Sequence, residues 1–136
     1  MSDQPPDQRQ GAGFPSGGVF KAAVDAVVVM SIEGQVMDWN PAASALFGFS
    51  FEQAIGRELA ELIIPAALRD KHRAALTRYR ETGEATILNR RLHLFAIRAN
   101  GSMVPVELTV TRIPDAEPPL FAGFVRERSG EDAEPA

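Results

Sequence analysis

The chain has 136 residues, 45% of them apolar, which suits one domain with a single core and room for one enclosed ligand. Its 14 Lys and Arg against 18 Asp and Glu give a net charge of −4, without the basic excess that nucleic-acid binders carry. Zero cysteine excludes disulfides, thiolate-ligated haem, cysteine-built zinc or iron–sulfur sites, a cysteinyl–flavin adduct and a thioester-linked chromophore.

Met1–Gly18 is rich in Gln, Pro, Gly and Ser and shows no apolar periodicity, so it reads as disordered. Its opening, MSDQPPDQRQ, has neither the basic start nor the apolar core of a signal peptide. Val19, Ala22, Ala23 and Ala26 fall on one side of a short expected helix over Val19–Ala26. Ala26–Ile32 is rich in β-branched residues and reads as a strand, broken at Glu33-Gly34 where a hairpin turn belongs. The apolar stretch around Val27–Met30 is far too short to span a bilayer, and a cytoplasmic protein is expected.

Gln35–Asn40 resumes the extended pattern. Asn40-Pro41 then supplies a side-chain acceptor at an N-cap and a proline at the first helical position. Ala42, Ala43, Leu46 and Phe47 follow at helical spacing, and Gly48 stops that helix. Ser50 caps the next one, which Gly56 ends. Glu58–Ile64 is apolar, and Pro65 opens a new element. Ala67–Thr82 reads as the longest helix, ended by Gly83.

Beyond it the period changes. Thr86–Ala99 is expected to be mostly extended, with Asn100-Gly101 as a hairpin turn. Ser102–Ile113 alternates Val104, Val106, Leu108 and Val110 with polar neighbours. Pro114–Pro119 is a loop, Leu120–Arg126 a last strand, and Ser129–Ala136 a disordered acidic tail. The folded unit is therefore placed at residues 19–128. The order β–β–α–α–α–β–β–β predicts an α+β domain: a five-stranded antiparallel sheet with helices over one face. A cavity between that face and the long helix is the expected ligand site, with Ile63, Ile64, Leu88, Leu92 and Val106 lining or bordering it.

Catalysis finds no support. The sequence contains no nucleophile elbow, phosphate loop or metal-binding motif, and its two histidines and scattered carboxylates form no constellation. Trp39 reads as a packing residue and Asn40 as a helix cap.

EGQVMDWNPAASALFGFSFEQAIG resembles the start of a PAS domain, and RANGSMVPVELTVTRI with LFAGFVRER resembles its closing strands. The resemblance covers roughly Val19–Arg128. It implies the PAS fold and a non-catalytic sensor or dimerisation module. The implied partners are a second copy, bound through Val19–Ala26 and the outer sheet face, and an effector, such as a histidine kinase, outside this chain.

The long helix, IIPAALRDKHRAALTRYRETG, is similar to that of the haem-binding oxygen-sensor PAS subgroup. The likeness implies haem b with His72 as the metal's proximal ligand and Arg78 near a propionate, followed by Tyr79 as in some members. His72 shares its helix side with Leu68, Ala75, Leu76 and Tyr79, so a neutral imidazole could face the cavity. The same spacing fits a histidine satisfied within a core. On the distal side, the position of an oxygen-contacting arginine in one haem branch is Leu92 here, and that of a methionine ligand in another is Arg90. Residues two apart in a strand share a face, so Arg90, Leu92 and Leu94 are expected together. Arg90 could then donate to a ligand, or it is a solvated strand-end arginine. His93 is expected on the opposite, exposed face. Another small metabolite in the same cavity, or a ligand-free interaction role, is compatible with the same fold.

Overall fold

The computed structural model describes residues 25–128. Strands β1 (Ala26–Ser31) and β2 (Val36–Trp39) form the first hairpin. Four helices follow: α1 (Pro41–Phe47), α2 (Phe51–Ala54), α3 (Leu59–Ile63) and α4 (Ala66–Thr82). Strands β3 (Arg91–Ile97), β4 (Met103–Arg112) and β5 (Leu120–Glu127) close the domain. All neighbours pair antiparallel in one sheet of order β2-β1-β5-β4-β3.

Local chemistry starts and stops the helices. The Asn40 side chain accepts from the Ala43 N–H, with Pro41 at the first position of α1, and Gly48 ends it in the left-handed conformation. Ser50 and Gln53 form a reciprocal capping box on α2. Gly83 closes α4, its N–H donating to the Tyr79 carbonyl.

Directly paired residues share a face. The pairs Val28↔Trp39, Val28↔Gly123, Leu108↔Val125, Leu94↔Val106 and Leu92↔Leu108 define the face on which the helices pack. There Ala26, Val28, Val36, Trp39, Val104, Val106 and Val125 meet Ala43, Phe47, Ala54 and Leu62 in one cluster. Burying a side chain such as Phe47 or Leu62 contributes about 1.5–3 kcal/mol. On the opposite face Val27, Val29, Ile113 and Ala122 form a smaller cluster with Leu120 and Phe124.

Two elements depart from expectation. The apolar run after Glu58 is a fourth helix, α3, because Ala60 and Leu62 turn into the core while Glu61 stays outside. The third strand begins at Arg91 rather than Thr86. Asn89 takes φ 61°, which breaks an extended run, while Leu88 makes only an isolated parallel bridge to Val110. The helix expected over Val19–Ala26 lies outside the described residues as far as residue 24, and Ala26 already belongs to β1. The terminal segments expected over residues 1–18 and 129–136 lie outside them entirely.

Candidate functional site

Helix α4 carries no fully buried residue. Its half-buried edge is Arg69, His72, Leu76 and Tyr79, the spacing of one helix side. Leu68 and Ala75, expected beside His72, are exposed instead. The inward edge is thus rotated from the apolar stripe because polar ties, not side-chain burial, position α4.

Those ties run along the helix. Arg69 Nε donates to the carbonyls of Ala60 and Ile64, both at 2.9 Å, satisfying acceptors at the end of α3. Arg73 clamps Glu58 at 2.7 and 2.9 Å. Arg80 donates to the Ile32 carbonyl at 3.1 Å. At the last turn the Tyr79 hydroxyl accepts from Arg112 at 2.9 Å, and its ring meets Phe121 edge-on at 5.2 Å. Much of what looks like a solvated basic face is therefore a set of tethers.

His72 lies between the first two ties. Its Nδ1 is buried and has no hydrogen-bond partner among the described residues. Burial pushes the imidazole pKa below its ordinary value; the Glu58 carboxylate opposes that shift and the Arg73 cation adds to it. The ring is thus a neutral base at pH 7. The hydrogen bond from Arg73 in turn holds the Glu58 carboxyl below the usual glutamate range. A buried polar atom without a partner is costly, so this nitrogen is the one unsatisfied group on the α4 edge among the described residues.

The remaining expected site residues separate. Tyr79 shares the His72 edge. Arg78 points to solvent and pairs with Glu84 at 2.7 Å. Leu92 is half-buried on the helix-side face, opposite Leu108, and next to it Leu94 stays 40% exposed on that same face. Helix α4 thus leaves this part of the sheet uncovered. Arg90 lies just before β3, exposed, with its guanidinium on the Thr86 carbonyl at 3.0 Å, so it does not continue the Leu92–Leu94 row. His93 lies on the outer face near Glu107, as expected. A separate concavity of about 500 Å3 sits at the β1–β2 turn and the β4–β5 loop, bordered by Ile32, Met37, Ile113 and Leu120, and touches none of the expected site residues.

Sequence reasoning missed Arg112. As the partner of Phe121 it projects on the helix side of β4, where its guanidinium bridges Tyr79 and Glu117. The alternating pattern of β4 would have assigned it to that face with Val106, Leu108 and Val110.

Comparison with known proteins agrees with this architecture. A family model described as the PAS fold matches residues 18–128. An uncharacterized protein of Azorhizobium caulinodans is 42% identical over 111 residues, covering 82% of this chain and 15% of its own length. The sensor protein FixL of Bradyrhizobium diazoefficiens is 30% identical over 76% of this chain and 20% of its own. The oxygen sensor protein DosP of Escherichia coli is 26% identical over 86% of this chain and 15% of its own. The chain therefore spans a fifth or less of the length of these relatives. Among solved structures, the PAS domain of an HTR-like protein from Haloarcula marismortui superposes with a TM-score of 0.65 at 19% identity, covering 81% of this chain and 86% of that one.

Proposed function

The chain belongs to the PAS family, and from that membership we propose that it is a non-catalytic sensory module whose input is a haem b held by His72 of α4. The buried, unpartnered Nδ1 of a neutral imidazole carries this reading. Iron takes a neutral imidazole nitrogen, and His72 would offer one on the inward edge of α4. A haem held by His72 would supply gas binding or one-electron redox chemistry.

The rest is work for the chain's own residues. Arg69, Arg73 and Arg80 hold α4 against α3 and the first hairpin, and so fix where His72 stands. Leu76 and Tyr79 continue its inward edge. Leu92 and Leu94 offer an apolar wall on the sheet. Arg90, tied to Thr86, brings no cation to that wall. This arrangement favours a redox change or a weakly polar gas over oxygen gripped by an arginine.

The folded unit is assigned to residues 19–128, flanked by terminal segments, in a cytoplasmic setting. No described helix is long and apolar enough to cross a membrane. Relatives several times longer than this chain, one of them named a sensor protein, support an effector such as a histidine kinase elsewhere in the polypeptide or in a partner. Homodimerisation is assigned to the segment around Val19 and the outer sheet face, where Phe95 and Met103 are exposed.

A second reading keeps the site and changes the occupant to an apolar metabolite. The uncovered Leu92–Leu94 wall favours it. Native mass spectrometry of protein expressed with ample haem precursor separates the two. One haem per chain is expected. A different bound molecule would favour the metabolite, and bare protein that also refuses added haemin would end both.

A further inference from the structure

We propose that Arg112 and the Tyr79 hydroxyl form a carboxylate-binding corner at the C-terminal end of the α4 inward edge, with Glu117 holding the corner's cation until a ligand carboxylate replaces it. The inference rests on the reading that a ligand lies along that edge. It adds which charge the ligand carries and where.

The geometry supplies a fork of donors. Arg112 is the last residue of β4 and pairs with Phe121, so it stands on the helix side of the sheet. One terminal nitrogen donates to the Tyr79 hydroxyl at 2.9 Å and the other to Glu117 at 3.4 Å. A tyrosine hydroxyl that accepts one hydrogen bond keeps its own O–H to give, and a guanidinium has five N–H groups. The corner can therefore offer a carboxylate the Tyr79 O–H beside the remaining Arg112 N–H groups, which are charge-assisted donors. The Phe121 ring packs edge-on to the Tyr79 ring at 5.2 Å and 86°, and so positions the ring that carries the hydroxyl.

Position and exchangeability agree. Tyr79 follows His72 by seven residues on the same helix edge, a rise of roughly 10 Å. A molecule touching the imidazole at one end could thus reach the corner with its acid group. The side chain of Glu117 is 80% exposed and that of Arg112 is 41% exposed. A long ion pair of that exposure contributes little stability and exchanges readily. Arg78, by contrast, faces solvent and holds Glu84 at 2.7 Å, so the acid-binding role passes to Arg112.

Apolar carboxylic acids are the ligand class, and two sources share that chemistry: a haem propionate and a fatty acid. Haemin and its dimethyl ester form one pair of probes, dodecanoate and dodecanol the other. Each is titrated into the wild-type chain, Arg112→Gln and Glu117→Gln, with a thermal melt checking each fold. The acid of at least one pair should bind the wild type. Arg112→Gln should weaken that acid at least about tenfold and leave the ester or alcohol within about twofold. Glu117→Gln should tighten the acid by about two- to fivefold. Retention of acid affinity in Arg112→Gln, or ester and alcohol binding as tight as the acids in the wild type, overturns the corner but leaves the ligand site standing. Failure of all four probes to bind the wild type overturns both. If Arg112→Gln does not fold, an unchanged acid affinity in Glu117→Gln overturns the corner.

Discussion

Arg73 grips Glu58 with two nitrogens, Nε on Oε2 at 2.7 Å and Nη2 on Oε1 at 2.9 Å. The pair joins the middle of α4 to the residue that opens α3, immediately beside His72. Because the Arg73 hydrogen bond lowers the Glu58 pKa, the carboxylate form is bound more tightly in the folded chain than in the unfolded one. That contribution is full above the ordinary glutamate value, about 4.3, and is lost as pH falls through the lower folded value. Thermal melts should therefore show the wild type losing stability on acidification through this range more steeply than Glu58→Gln. Parallel slopes would remove the pair from the stability of α4.

His72 sets a second window. Burial lowers its pKa, so the unfolded chain binds a proton at this residue before the folded chain does. Stability from the neutral ring is full above about pH 6.5 and declines as pH falls toward the folded value. His72→Gln should flatten the stability profile below about pH 6.5. An NMR titration should find the imidazole midpoint below the ordinary histidine value, about 6.5. A midpoint at or above it would mean the ring is not desolvated.

Asn40 is fully buried and joins three segments. Its Oδ1 accepts from Val27 and Ala43, both at 2.9 Å, and its Nδ2 donates to the Asp25 carbonyl at 3.1 Å. Asn40→Ala removes the α1 cap and strands the Val27 N–H, at a cost of about 2–4 kcal/mol. Chemical denaturation measures it. A loss below about 1 kcal/mol would mean that other groups satisfy these donors.

Gly34 takes φ 93° in the β1–β2 turn, and a Cβ there would stand 2.9 Å from Leu76 Cδ1 of α4. Gly34→Ala should cost about 1–2 kcal/mol, most of it from the left-handed backbone and a smaller part from turning the Leu76 methyl aside. Leu76→Ala removes the clash but not the conformational part. The double variant should therefore be less destabilised than the sum of the singles. Strict additivity would show that α4 does not rest on this turn.

What the sequence made legible was local. The Glu33-Gly34 turn, the Asn40-Pro41 start of α1, the Ser50 cap and the Asn100-Gly101 turn each depend on neighbours within four residues, and together they order the sheet. The late start of β3 was hidden because Asn89 in the left-handed region reads like any polar residue in an extended run. Helix α3 was hidden because five residues make too short a period. In the candidate site, His72 and Tyr79 were legible from helical spacing. The rotation of the α4 edge was not, since Glu58, Ala60 and Ile32 supply its anchors from elsewhere in the chain. Arg112 escaped because its importance lies in Tyr79, 33 residues away.

In the proposed site His72 is the iron ligand. The most direct test is the absorption spectrum of the purified chain titrated with haemin, wild type beside His72→Ala and His72→Gly with added imidazole. The expected result is a saturable one-to-one Soret band in the wild type, its loss in His72→Ala, and its return in His72→Gly when imidazole is supplied. A colourless wild type that takes up no haemin, or a His72→Ala spectrum identical to the wild type, would contradict it.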